Sequence, residues 1–355
     1  MTHSNSSSGI ADRAAGCIVG AFIGDALGVG AHWYYDLDEM RKDYGPWIDG
    51  YTTPKKGRYH EGLKPGDSSQ SGIIMEMLLS SVAEKGGYEE KDFCDRLDKD
   101  LFPHLDGKAN HGPGGFTNHS IRQAWRARVK EGKPWSEAGG NVDTSEGAER
   151  ISIIAARYAK DIWKVADLGK RCCELAQKDS RVVQQSVAFA LVLALLIRGE
   201  PFDEHLSDKL IALEDSGEVP FVSGSSIASI KSAHPAMGFA SPDALLLPTW
   251  IATAVKDKGT RIDPAWKVSL VYGMSCAINF VLPCAYYLSA MFPDDFESAV
   301  LHAINGGGQN MSRACLTGAL VGAQCGLSKI PQRFIDGLTH KDKILEMAKK
   351  IAAGA

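Results

Sequence analysis

Apolar residues recur at helical spacing along most of this chain. Long alternating runs of Val, Ile, Thr and Tyr, which are typical of strands, do not occur. Gly and Pro residues separate the apolar segments and mark their ends. The pattern predicts helices over residues 10–29, 69–85, 89–101, 117–131, 145–159, 163–178, 181–199, 203–215, 242–257, 264–278, 281–291, 294–304, 312–325 and 340–352. We expect an all-α fold: a flexible tail over residues 1–9 and one compact orthogonal helical bundle over residues 10–355.

The segment 183–197 is apolar nearly all round, which is typical of a helix buried in the core. Its longest uninterrupted apolar run, Val187 to Ile197, has eleven residues, whereas a membrane span needs about twenty. The polar, Ser-rich start of the chain lacks the features of a secretory signal. We therefore predict a cytoplasmic protein with no membrane partner.

Charge and cysteine content exclude further classes. The 39 Lys and Arg residues and 43 Asp and Glu residues give a net charge of −4, with no basic stripe for a nucleic acid. The eight cysteines form no CxxC pair. A disulfide framework or a thiolate zinc site is therefore not expected.

Two segments carry Gly at every fourth residue. Gly16, Gly20, Gly24 and Gly28 lie on one face of the first predicted helix, and Gly318, Gly322 and Gly326 lie on a late one. Each interior helical Gly costs about 1 kcal/mol relative to Ala, so a compensating contact is needed. Close approach of the two helices, or of both to a common neighbour at the centre of the fold, would provide it.

Polar, Gly-rich segments adjoin these helices. Residues 24–36 follow the first stripe, residues 305–313 precede the second, and residues 65–72 precede another apolar helix. Two further loops of this kind cover residues 111–119 and 139–144. The Gly306–Gly308 triplet at a helix start suits a phosphate or carboxylate through free N–H groups. The alternatives are a flexible turn for the triplet and an N-cap for Asp67 or Ser68.

In this order, the polar segments resemble the ADP-ribosylglycohydrolase superfamily. Gly24-Asp25-Ala26-Leu27-Gly28 matches its opening signature, and Gly66–Ser69 stands at its Thr-Asp-Asp-Thr element. Gly307–Ser312 stands at its Gly-Gly-Asp-x-Asp-Thr element, and Gly147–Arg150 resembles a Gly-Ala-Met-Arg stretch. The segment around His32 points to the branch that holds the J-type crystallins. The resemblance spans roughly residues 10–330 and implies a compact all-α domain that acts on ADP-ribosyl compounds.

The metal ligands depart from the family pattern. The family holds two Mg²⁺ ions through the acidic residues of the second and third elements, and hard ions prefer such oxygen ligands. Here Ser68, Gln309 and Met311 stand where three of the four aspartates belong, and Ser312 replaces a Thr. We expect no cofactor. The alternative is one weakly held Mg²⁺ on Asp67, Ser68 and Gln309.

The resemblance therefore implies a site whose catalytic residues act without the two Mg²⁺ ions. Asp67 is predicted to orient a water, with His32 as acid or base near neutral pH and Asp25 beside them. The predicted ligand-binding residues are Ser68, Ser69, Gly307, Gly308, Gln309, Ser312, Arg313, Gly115 and Asn141. The alternatives are a buttressing role for Asp25, simple packing for His32 with Trp33, and an ion pair for Arg313. Several remaining histidines, His60 among them, have no partner at ligand spacing and are predicted to be surface or core residues.

The leading hypothesis is a divergent hydrolase that cleaves an N- or O-glycosidic bond of an ADP-ribosyl or nucleoside-type ligand with little or no Mg²⁺ dependence. The predicted partner is a small ribosyl or nucleotide-like molecule, or an ADP-ribosylated protein. One alternative is a non-catalytic, J-crystallin-like structural or ligand-binding protein. Another is an enzyme that uses the same cleft for a new small substrate.

Overall fold

A computed structural model describes residues 7–219, 222–223, 238–239 and 243–355. In these residues the chain forms sixteen α-helices. They are α1 Ser7–Val29, α2 Leu37–Tyr44, α3 Gln70–Lys85, α4 Glu90–Arg96, α5 His119–Trp125, α6 Glu146–Arg157, α7 Ile162–Glu174, α8 Ser180–Ile197, α9 Leu206–Asp215, α10 Asp243–Lys256, α11 Val268–Tyr272, α12 Ile278–Met291, α13 Phe296–Asn305, α14 Asn310–Cys325, α15 Gln332–Asp336 and α16 Lys341–Ala352. The predicted all-α class is confirmed; the β-structure described is a parallel pair of two-residue strands, Val222–Ser223 and Gly238–Phe239, with two isolated bridges.

The two Gly-striped helices α1 and α14 lie against each other at the centre of the fold. A Cβ added to Gly20 would lie 2.1 Å from the carbonyl oxygen of Gly318, and one added to Gly16 would lie 2.4 Å from that of Gly322. A Cβ on Gly24 would meet the carbonyl of Ala314 at 2.0 Å. The backbones therefore touch directly, and the packing predicted from the stripes is confirmed.

Helix α8 lies in the interior, as its composition predicts. By length and hydropathy Ser180–Ile197 could span a membrane, but 78% of it is buried inside the protein. It packs on α6 and α7. Its apolar surface therefore packs inside the hydrophobic core.

The predicted helix over residues 264–278 is confirmed only over its central part, Val268–Tyr272. A 3₁₀ turn over Ala265–Lys267 leads into α11, which ends at Tyr272 with Gly273 as its C-cap, and α12 begins only at Ile278. Gly273 adopts φ 123, which is outside the helical region. The loop over residues 273–277 borders the site described below. The pattern also missed α2, which is mostly polar and is capped by the Asp36 carboxylate on the amides of Asp38 and Glu39.

The end of the predicted N-terminal tail also differs from the prediction. Helix α1 begins at Ser7, three residues before the predicted start. Residues 1–6 of the predicted tail lie outside the described residues.

Candidate functional site

The loop before α14 is held rigidly by the protein itself. Arg313, only 1% exposed, donates from Nε to the Ala303 carbonyl at 2.9 Å and from Nη2 to the Gly307 carbonyl at 2.6 Å. Its guanidinium therefore faces the core side of the loop instead of pairing with a surface acid. Burial lowers the pKa of Arg313.

The amides of this loop are used internally. Gly307 N donates to the Ile304 carbonyl at 3.4 Å, Gly308 N to that of Tyr34 at 2.7 Å, and Gln309 N to that of Met274 at 2.9 Å. The free N–H groups expected for an anion are therefore occupied in this structure. Gly307 and Gly308 adopt φ 63 and 57, which explains the glycines here.

Both polar atoms of the Gln309 side chain also form hydrogen bonds within the protein. Its Oε1 accepts from the indole Nε1 of Trp33, and its Nε2 donates to Ser312 Oγ at 2.8 Å. The next residue, Asn310, donates from Nδ2 to the Ala31 carbonyl at 3.1 Å and meets His32 Nδ1 with Oδ1 at 3.2 Å. The start of α14 thus binds the segment that follows α1.

Asp25 holds the start of α3. Its carboxylate accepts from the Ser69 amide at 2.9 Å and from Ser69 Oγ at 2.5 Å, and Ser69 Oγ in turn caps the helix at Gly72 N. Asp25 is fully buried, which raises its pKa to about 7 despite the Ser69 hydrogen bonds. This geometry is that of a positioning residue for the loop that carries Ser68 and Ser69.

Asp67 is tied to the C-terminal part of the chain. It accepts from Thr339 Oγ1 at 2.6 Å and from the Lys64 amide at 2.8 Å. The Thr339 amide also donates to the Gly66 carbonyl at 3.1 Å. Both carboxylate oxygens therefore hold the turn before α3.

Trp33, a residue with φ 62, belongs to a cluster of five rings. Tyr59 and Phe116 meet it edge-on with centroids 4.3 and 4.4 Å away, and His32 stacks on it at 5.1 Å. His60 lies 5.0 Å from His32. Tyr59 is 40% exposed, whereas His32 and His60 are buried.

Both imidazoles are neutral at physiological pH. Burial lowers the pKa of His60 to about 4, and burial together with His60 lowers that of His32 well below its usual value. The prediction that His32 titrates near neutral pH is therefore not met by its environment. Loss of hydration on burial lowers the pKa of His32 more than the hydrogen bond to Asn310 raises it.

A carboxyl group that sequence analysis missed lies at the start of α6. Glu146 accepts a hydrogen bond from Thr144 Oγ1. Burial raises the pKa of Glu146 to about 7, with a further contribution from nearby Glu149. Arg122 and Cys276 lie close enough for the Glu146 charge to affect their own pKa values. The sequence signal was Glu146 directly before the family-like segment Gly147–Arg150.

Short contacts bring the loops together around Glu146. Ile278 N donates to the Asp143 carbonyl at 2.8 Å, and Thr144 forms a bridge with Ala277. Gln309 N donates a hydrogen bond to the Met274 carbonyl in the same 273–277 loop, as described above. The second and third family-like elements, the α6 start and the aromatic rings thus adjoin.

Two predicted ligand residues lie on the rim. Gly115 packs against His60 and lines a groove of about 910 Å³ between the 57–63 and 104–115 segments. Asn141 is exposed on the loop that leads to α6.

The donor set does not fit the paired Mg²⁺ ions that the resemblance implies. In the described part of the chain, no three His, Cys, Asp or Glu side chains form a metal-binding group. Asp67 is bound to Thr339, Gln309 offers a neutral oxygen that already accepts a hydrogen bond, and Met311 offers a thioether. Hard divalent ions need several free oxygen ligands.

Comparison with known proteins finds relatives that match nearly the full length of the chain. Residues 6–355 match the sequence profile of the family described as ADP-ribosylglycohydrolase. The chain is 23% identical to human ADP-ribosylhydrolase ARH3, over 96% of this chain and 93% of that protein. It is 24% identical to crystallin J1A of Tripedalia cystophora, over 96% of each. A solved structure titled ADP-ribosylglycohydrolase-related protein complex superposes with a TM-score of 0.62 at 18% identity, covering 98% of this chain and 99% of that one.

Proposed function

Because the chain belongs to the ADP-ribosylglycohydrolase family, we propose that it hydrolyses an N- or O-glycosidic bond of an ADP-ribosyl or nucleoside-type compound, with little or no Mg²⁺ dependence. The observation that carries this proposal is Glu146, a half-buried residue among the site loops whose desolvated carboxyl group has its pKa raised to about 7. Perturbed carboxyl groups of this kind are typical of acid–base catalysts.

Glu146 has the chemistry for both proton transfers of such a hydrolysis. In its protonated form it gives its proton to the leaving nitrogen or oxygen as the bond to the ribosyl C1 breaks. A water oxygen then adds to C1 and gives a proton back to the carboxylate. A pKa near 7 keeps both forms of the residue available at neutral pH. The hydroxyl of Thr144 holds the carboxyl group in place.

The aromatic rings supply a surface for the base of a nucleoside. Tyr59 and Phe116 each meet Trp33 edge-on and leave part of their own surfaces exposed. Aromatic side chains bind bases by stacking, at about 1–3 kcal/mol per base. The groove beside Tyr59 and Gly115 gives such a ligand room.

The predicted catalytic residues Asp67, His32 and Asp25, and the predicted ligand-binding residue Arg313, are assigned supporting roles in this proposal. Asp25 positions Ser69 and the start of α3, and Arg313 positions the Gly loop. Asp67 holds the 64–67 turn against Thr339. His32 stays neutral and acts as a hydrogen-bonding group.

The test is hydrolysis of an ADP-ribosylated protein and of ADP-ribosyl small molecules, measured with Mg²⁺ and with chelator. Glu146→Gln is expected to lower kcat by about 100-fold, because the amide cannot exchange a proton. Glu137→Gln, at an exposed carboxyl group on the 3₁₀ turn before the site, is the matched control. Activity that disappears in chelator, or that survives Glu146→Gln, would contradict the proposal.

A second candidate is a non-catalytic, ligand-binding or structural protein of the crystallin kind. Two observations favour it. The side chains of Asp67 and Gln309 already form hydrogen bonds within the protein, and the chain is similar to crystallin J1A. Under this hypothesis ADP-ribose either raises Tm without being turned over or has no effect on it. Turnover that depends on Glu146 excludes it.

A further inference from the structure

We propose that His32 and His60 form a two-imidazole site for a divalent cation of borderline softness such as Zn²⁺. The pair lies between the second and third family-like elements, where the carboxylates for hard ions are missing. His60 contacts Gly114, which packs on the backbone of Ser69, and His32 contacts Asn310 at the start of α14. The inference concerns binding and does not depend on the proposed hydrolysis.

The hydrogen bonds assign one tautomer to both rings. Nδ1 of His60 lies 3.0 Å from the Gly114 carbonyl, which only accepts, so Nδ1 carries the proton. Asn310 uses its Nδ2 on Ala31 and turns Oδ1 to His32, so Nδ1 of His32 also donates. Because both rings are neutral, each Nε2 is left with a lone pair.

One of these lone pairs has no partner. His60 is 2% exposed, and its Nε2 is buried without any hydrogen bond. Buried polar atoms are nearly always satisfied, so an unprotonated Nε2 here calls for a cation or a donor. Metal-bound histidines usually donate the other ring nitrogen to a carbonyl or carboxylate, which is the arrangement His60 has with Gly114.

The spacing of the rings suits one shared ion. Their centroids are 5.0 Å apart and their planes are inclined by 51°. Two imidazoles that bind one zinc ion at about 2.0–2.1 Å in tetrahedral geometry have centroids about 5 Å apart. Nitrogen ligands favour Zn²⁺ and similar ions over Mg²⁺.

The affinity should be below that of a closed structural zinc site. The described residues offer two imidazoles here and no third His, Cys, Asp or Glu in a metal-binding group, so waters or a bound ligand complete the shell. The charge of Arg313 also contributes to lowering the pKa of His32 and opposes a bare cation.

The experiment is calorimetric titration of the chelator-stripped full chain with ZnCl₂, with MgCl₂ in parallel. His60→Asn keeps a donor for the Gly114 carbonyl but removes the Nε2 lone pair, and His32→Asn does the same toward Asn310. Each variant is expected to weaken Zn²⁺ binding by about tenfold or more. His205→Asn, at an exposed imidazole before α9, is the matched control and is expected to bind as the parent does.

The outcomes separate this inference from the proposed function. Saturable Zn²⁺ binding that is lost in His60→Asn and His32→Asn supports the site, whatever the hydrolytic activity. Equal binding by parent and both variants, or no binding by the parent at millimolar Zn²⁺, overturns it. Circular dichroism confirms that the variants fold, and the visible spectrum of Co²⁺ bound to the parent and to His32→Asn gives a second readout of nitrogen coordination.

Discussion

Trp33 donates a hydrogen bond from its indole Nε1 to Oε1 of Gln309, 276 residues later in the chain. The Trp33 amide also donates to the Gly308 carbonyl at 3.0 Å. The end of α1 and the start of α14 are therefore joined by side chain and backbone alike. The contact occupies the position where the family resemblance places a metal-binding aspartate.

Replacing the partners of this contact should reveal a measurable coupling. Trp33→Phe removes the donor and leaves Oε1 of the buried Gln309 unpaired, which costs about 1–3 kcal/mol of unfolding free energy. Gln309→Met removes the acceptor. In a double-mutant cycle by urea denaturation, we expect a coupling energy of about 1 kcal/mol. Additive effects of the two substitutions would show that the hydrogen bond adds no net stability.

The Gly contact between α1 and α14 should tolerate no side chain. Gly20→Ala would place a Cβ 2.1 Å from the Gly318 carbonyl oxygen, so one backbone must move. We expect a loss above about 3 kcal/mol, at the high end for a single substitution, seen as a fall in Tm or a failure to fold.

Gly169→Ala in α7 is the control for this substitution. Its Cβ would lie 3.9 Å from the nearest atom, the Ala190 Cβ. Because Ala is the better helix former, this variant should gain about 0.5–1 kcal/mol. Similar Tm values for Gly20→Ala and the parent would refute the close contact.

The contributions of Glu146 and Asp25 to stability should fall as the pH rises from about 4 to 7. The pKa of Glu146 is raised from 4.5 to about 7 in the folded protein, and that of Asp25 from 3.8 to about 7. At these two groups the native state binds more protons than the unfolded chain in this window, so their contribution to the unfolding free energy decreases with pH. Glu146→Gln mimics the protonated residue, and should therefore raise Tm at pH 8 and leave it nearly unchanged at pH 4. A Tm difference that does not vary with pH would contradict the raised pKa.

Asp67 and Thr339 should act as one structural unit. Asp67→Ala removes an acceptor that both Thr339 Oγ1 and the Lys64 amide use, and Thr339→Val removes only the first of these bonds. We expect each to lower the unfolding free energy by about 0.5–1.5 kcal/mol, with the double variant less destabilised than the sum. Both should retain more hydrolytic activity than Glu146→Gln. An Asp67→Ala variant of native Tm without activity would instead make Asp67 catalytic.

The helical class and the central helix pair followed from the sequence, because both depend on short-range pattern. Apolar periodicity predicted α8 as a core helix, and four-residue Gly spacing predicted the contact of α1 with α14. The family-like segments were also legible in order, whereas the N-cap of α3 is Ser69 and not the predicted Asp67 or Ser68. These features depend on residues close together in the chain, so local propensity and spacing were enough.

The chemistry of the site was decided by tertiary packing. Nothing local indicated that Arg313 turns to the core, that the amides of Gly307 and Gly308 are occupied, or that Gly273 breaks the predicted helix. The raised pKa of Glu146 and the unpartnered Nε2 of His60 arise from burial by segments far away in sequence. Hydration and hydrogen-bond partners depend on which distant segments cover a group, and the folded arrangement alone sets that for this protein.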